Sequence, residues 1–490
     1  MGIIVRQGIF NALFSYVGAA IGFVLTLIIY PQILTTEQYG LTRVLLSISI
    51  LAVQFATLGT RSSMVKYFPY FKESKDESTF TLFFSFTHLL GYAVIIAVFY
   101  VFKDALLGYF IEESPLLSSY FDLLLPLIFF NLFFTFFTSY ARVYHSTVVP
   151  SFINDIVLRV LIIALLYSYF FGWIDFQLFI YLFVGLYGIV MLALGMYLIV
   201  ALRPKISFSS ILPNLKIRGD IIRYSMYAFL GGITTVIIGR IDIIMLSSLT
   251  GLSDTGIYSI AFYIGAVIAI PVRALDKISF PIIADAFKSN NMEEVQTIYR
   301  KSSINQLIAG SLLYIGVCAN LHNLMNILPP EYQGGEWVVV IIGFAYLFDM
   351  ATGVNGAILI SSKYYRYDLY INLALVIAAI TLNVLLIPMY GIIGAAIATT
   401  ASIFSYNTFK YLFIRFKLGM SPFGKETLQL VILAGSILAL NFLFEPMQSL
   451  FADLILRSVI MALVFGIGVY TLKLSEDANR VINKFLNKLN

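Results

Sequence analysis

The chain has 490 residues, 60% hydrophobic and only 12% charged, about half the charged share of a soluble domain. This composition excludes a single soluble core and makes lipid the solvent for much of the surface, so the expected class is all-α integral membrane protein. One cysteine, Cys318, and three scattered histidines exclude an internal disulfide and a His/Cys metal cluster.

The N-terminus carries Arg6 and then a long apolar run, without the short apolar core and small-residue cleavage site of a signal peptide, so it reads as a retained first span. A spanning helix needs about 20 apolar residues. Fourteen such runs follow in order: 9–34, 41–60, 79–102, 119–141, 151–171, 177–201, 222–249, 255–280, 303–328, 337–361, 369–388, 391–414, 427–445 and 451–473. Short punctuators such as TTEQYG, TGLSDTG and PPEYQGGE separate them, too short to be domains. With the N-terminus inside, 23 of the 31 Lys and Arg fall on inner segments, one (Lys103) on an outer loop, and seven within spans. The positive-inside rule then places both termini in the cytoplasm of an inner-membrane, multi-pass protein.

The chain also repeats itself. A shift of 216 residues lays Gly40 on Gly256, Ile48 on Ile264, Ser63 on Ser279 and Lys72 on Lys288, with Arg61 on Lys277. Six spans per half is an even number, so the halves share an orientation, one of the repeat plans found in transporters. The expected organisation is an N-lobe at 1–201, a cytoplasmic linker at 202–221, a C-lobe at 222–414, and two extra spans with an amphipathic tail at 415–490. The tail, SEDANRVINKFLNKL, is basic and is expected on the inner membrane surface.

The 6+6+2 plan and three stretches carry a resemblance. They are TTEQYGLTRVLLSISILAVQFATLGTRSSMVKYFP at 35–69, RIDIIMLSSLTGLSDTGIYSIAFYIGAVIAIPVRALDKISFPIIADAF at 240–287, and NVLLIPMYGIIGAAIATTASIF at 383–404. The chain resembles the polysaccharide/oligosaccharide flippase branch of the multidrug/oligosaccharidyl-lipid/polysaccharide (MOP) exporter superfamily. That resemblance implies two six-helix lobes in a V and movement of a polyprenyl-diphosphate-linked glycan from inner to outer leaflet. Competing readings are a multidrug or cation antiporter, a peptidoglycan-precursor flippase and, from another class, a membrane glycan polymerase or ligase. The polymerase would need a large outer catalytic loop, and the longest here, about 103–118, has no histidine. No Gly-rich nucleotide-binding motif is present, so an ion gradient or the membrane potential is the expected driver. No enzyme activity, cofactor, metal or nucleic-acid partner is expected; the bilayer is the surrounding partner, and a glycan polymerase or glycosyltransferases are candidate protein partners.

Ionised groups within spans are functional candidates when they face a cavity. The expected head-group contacts are Arg240, Arg159, Arg43 and Arg273. Counted along one continuous helix, Arg240 lies about 13 Å from the outer end, near the midplane. Arg61, Asp276 and Lys277 are expected at a gate or lobe contact, and Asp349 and Asp242 are candidates for ion coupling. Asp155 and Arg159, four apart, could instead neutralise each other. Lys410 is expected to reach the inner surface by extending its stem, and the many aromatics are expected mainly at lipid and membrane interfaces.

Overall fold

The structure is a computed structural model that describes residues 2–74, 76–203 and 212–489. Among the described residues it is helical throughout, with no strand. Among the described residues eleven helices are long and apolar enough to cross a membrane, or twelve if the bent pair Glu336–Ala351 and Asn355–Ser361 counts as one span. Two details account for most of the gap from fourteen. Helical structure over Tyr365–Leu418 contains a reversal at Gly391 (φ 54°, ψ −132°) and covers two expected spans. Gly394 packs on the Leu386 carbonyl, an approach only a chain folded back on itself permits. Lys425–Asn441 has 17 residues, just short of an ordinary span.

The chain divides into two compact units, residues 1–256 and 257–490. In the first, the helix Thr36–Thr57 starts at a capping box, in which Thr35 Oγ1 accepts from the Gln38 amide and Gln38 Oε1 from the Thr35 amide. It ends at Leu58 and Gly59, both left-handed, and the chain resumes as Thr60–Glu73. Gly59 has no substitute: a Cβ there would strike the Ser225 carbonyl of the helix Leu215–Ile238. Ser63 and Ser225 seal that contact with a 2.6 Å hydroxyl bond. An aromatic core of Phe68, Phe71, Phe80, Phe84, Phe136 and Tyr140 holds helices of this unit together.

The glycines that the repeat aligned are in contact. A Cβ on Gly40 would meet the Leu252 carbonyl, and one on Gly256 the Thr36 carbonyl. Thr36 and Ser253 hydroxyls add a 2.7 Å bond beside them. Small residues let backbones approach where no hydrophobic force separates helix from lipid.

The expected span 222–249 is not one helix. Leu215–Ile238 stops at Gly239, Arg240 takes φ −140° and ψ −19°, and a second helix runs over Ile241–Leu249. The depth counted along a continuous helix therefore does not apply to Arg240, which sits at a break. Three π-helical turns, Leu25–Ile29, Ile153–Val157 and Leu198–Leu202, interrupt other spans of this unit.

In the second unit, Met292–Ala319, Lys425–Asn441 and Leu450–Thr471 pack around Leu307, Ile315, Leu430, Ile437, Met461 and Phe465. The tail helix Glu476–Leu489 is anchored by Asp477, which accepts from Asn305 at 3.1 Å.

Candidate functional site: an arginine and tyrosine centre

Arg43 lies on Thr36–Thr57 with its guanidinium over two rings, 4.5 Å from the Tyr39 centroid and 5.1 Å from that of Tyr30. Both tyrosines are buried, with ring centroids 5.0 Å apart. The π-helical turn Leu25–Ile29 immediately precedes Tyr30 and shifts its register on the helix face, a distortion common at functional sites. Tyr187, from Phe176–Tyr197, lies near enough to interact electrostatically with both Arg43 and Arg240. Arg43 and Arg240 are near enough to repel one another. Two cations, three phenols and the Asp242 carboxylate therefore share one region of the first unit.

The break in span seven explains Arg240. Gly239 and Arg240 leave the helix, and the new helix begins at Ile241. Asp242 falls in its first turn, where the helix dipole favours an acid. Its carboxylate is buried and accepts from the Ile243 amide at 2.9 Å. Arg240 and Asp242 thus stand at and just past a helix start, near enough to attract one another.

Arg159 follows the π-helical turn Ile153–Val157. Gly22, on the first helix, makes room for it: a Cβ there would lie 2.5 Å from Arg159 Nη1. Gly18, one turn earlier, does the same for Asp155. Asp155 accepts from Asn154 at 2.9 Å, and among the described residues no ion pair joins it to Arg159. Among the described residues none of Arg43, Arg159 and Arg240 has a carboxylate in ion-pair contact, though Asp242 is near enough to attract Arg240, and Arg43 Nε and Arg159 Nη1 are buried donors without a hydrogen bond. All three side chains are partly buried, and an intramembrane cation is stable only where water, a partner or a ligand meets it.

The second unit treats its cations differently. Lys410 does not reach the surface; it is 2% exposed and pairs with Asp368 at 2.6 Å, with Tyr406 also bonded to it. Arg457 pairs with Asp453 at 3.1 Å and donates to Asn441 and to the carbonyls of Phe444 and Glu445. Asp349 stands at the end of Glu336–Ala351, just before the chain bends by 48° through Gly353 (φ 60°) into Asn355–Ser361. Its Oδ1 accepts from Asn407 at 2.8 Å; Asn407 Oδ1 in turn accepts from Asn355 at 2.9 Å. Ser303 donates to the Ala351 carbonyl that the bend frees. A carboxylate beside amides at a broken span can take up a proton or a small cation. Among the described residues no group of three His, Cys, Asp or Glu suits a metal ion.

Arg61 opens the helix Thr60–Glu73, remote in sequence from the other gate residues. Arg273, Asp276 and Lys277 belong to Ile270–Lys288, and their side chains lie outside the described residues. Sequence reasoning missed Tyr30, Tyr39 and Tyr187. Their only written signal was position: Tyr30 precedes a proline and Tyr39 precedes the repeat glycine, Gly40.

A helical, many-span chain with broken spans and an arginine centre defines a multi-pass membrane protein of the transporter type. Solved structures agree on the fold. The lipid II flippase MurJ in its inward closed conformation matches with TM-score 0.74 and 14% identity, over 95% of this chain and 100% of that one. An inward-facing multidrug resistance MATE family transporter of the MOP superfamily matches with TM-score 0.65 and 14% identity, over 81% and 94%. An uncharacterized membrane protein of Methanocaldococcus jannaschii is 22% identical over 98% of both chains. The probable low-salt glycan biosynthesis flippase Agl15 of Haloferax volcanii is 24% identical over 54% of this chain and 56% of its own length. The polysaccharide biosynthesis protein family matches residues 4–287, more than half of the chain, and the protein belongs to that family.

Proposed function

We propose that the protein is a flippase for a polyprenyl-diphosphate-linked oligosaccharide, the repeat unit of a surface glycan, carried from inner to outer leaflet by alternating access. The observation that carries this reading is that, among the described residues, Arg43, Arg159 and Arg240 of the first unit form no ion pair with a carboxylate. A diphosphate brings the missing negative charge, and the planar guanidinium matches its oxygens in paired bonds. The tyrosines Tyr30 and Tyr39 hold the Arg43 guanidinium against their faces and so fix its position. Family membership and the glycan flippases among its relatives support the same reading.

In this account Arg43, Arg240 and Arg159 contact the head group while the polyprenyl tail stays in lipid. Arg273 is a further contact; Arg61, Asp276 and Lys277 serve the cytoplasmic gate. Asp349 couples the cycle to an ion gradient, with Asp242 ordering the start of the broken span. The protein works in the cytoplasmic membrane with both termini inside, as lobes 1–201 and 222–414 joined by the linker 202–221, followed by the pair of spans and tail at 415–490. A glycan polymerase or glycosyltransferases act beside it.

The test is Arg240→Ala in the native host. The expected result is loss of surface glycan, normal protein level in the membrane, and accumulation of the lipid-linked intermediate on the inner leaflet. Normal glycan export would sink the reading.

A further inference from the structure

Outside the arginine centre, the first unit holds a cavity of about 450 Å³ lined by Arg61, Lys66 and Arg142, with Gln54, Gly59 and Tyr224 among its walls. The three cations are exposed to it, and among the described residues no acidic side chain lines it. Arg61 and Arg142 are close enough to repel. Lys66 rests over the Tyr224 ring at 3.8 Å, a face that neutralises no charge. The left-handed pair Leu58 and Gly59 ends one helix and starts the next at this cavity, so the positive end of Thr60–Glu73 adds to the field. Like charges crowded without a counter-charge favour a bound anion. Two guanidinium forks and an ammonium suit phosphate oxygens above a single carboxylate. Gln54 lies on the same helix as Arg43, about 16 Å along its axis.

We propose that this cavity is a docking site for a phosphate oxyanion, where the substrate's diphosphate is captured at the inner leaflet before it passes to Arg43 and Arg240. The proposal rests on the flippase reading and on the inward placement of these ends. The full chain is placed in phosphatidylcholine nanodiscs and titrated with farnesyl diphosphate. The R240A background is used so that the centre contributes little. R61A/R142A is expected to weaken binding by about tenfold or more, R61K/R142K to keep part of it, and K103A to leave it unchanged. Equal binding by R61A/R142A and its parent overturns the proposal, as does an absence of binding in the parent. A second arm replaces part of the phosphatidylcholine with phosphatidylglycerol. Unchanged farnesyl diphosphate binding supports the diphosphate source; displacement by phosphatidylglycerol assigns the cavity to phospholipid and overturns substrate capture. Glycan export by R240A cells is scored separately. Normal export there defeats the flippase reading whatever the titration gives. Blocked export with unaltered R61A/R142A binding defeats the docking site alone.

Discussion

The two units handle buried positive charge in opposite ways. In residues 257–490 the two buried cations among the described residues each have an acid: Lys410 has Asp368 and Arg457 has Asp453. In residues 1–256, Arg43, Arg159 and Arg240 have tyrosines, a glycine-lined notch and a helix break with Asp242 nearby, but no ion pair among the described residues. A paired charge in a low-dielectric setting is finished chemistry; it fixes helices and resists change. An unpaired one is stable only while water or a ligand meets it. The first unit is therefore where an anion is expected to act, and the second is where helix positions are fixed and, at Asp349, where coupling is expected.

The contrast can be broken at several points. The largest effect is expected from Lys410→Ala, which leaves Asp368 charged and 15% exposed without its partner. Such a change costs about 3 kcal/mol or more. The measurement is thermal unfolding in detergent, where Lys410→Met with Asp368→Leu should recover most of the loss. Arg457→Ala should cost less, about 1–3 kcal/mol, through lost charge-assisted bonds to Asp453 and Asn441. Equal damage from Arg43→Ala would erase the distinction between the units. Gly22→Ala should displace the Arg159 guanidinium, lowering glycan export several-fold, roughly 1 kcal/mol of lost binding, while unfolding shifts little. Asp349→Asn keeps the Asn407 contact in outline but removes the charge, so export should persist weakly and lose its response to the ion gradient. Export by Asp349→Asn that still tracks the gradient would remove Asp349 from coupling.

Much of the fold was legible in the letters. Apolar runs gave most of the spans, and the repeat picked out Gly40 and Gly256, which the fold brings into contact. What stayed hidden has physical causes. The Lys410–Asp368 pair joins residues 42 apart across a chain reversal at Gly391, and no local spacing records it. The break at Gly239–Arg240 lies in an unbroken apolar run, where hydropathy cannot tell a helix from two half-helices. The π-helical turns before Tyr30 and Arg159 change side-chain register by a single residue, beyond the reach of a 3.6-residue pattern. Tyrosine belongs at membrane interfaces on average, and that average concealed Tyr30 and Tyr39.

The most direct test compares two double variants in proteoliposomes that carry the host's lipid-linked glycan, with flipping read by an impermeant probe of the outer leaflet. Arg43→Ala with Arg240→Ala should stay folded and stop flipping, whereas Lys410→Met with Asp368→Leu should stay folded and keep flipping. Flipping that survives loss of both arginines would contradict the account.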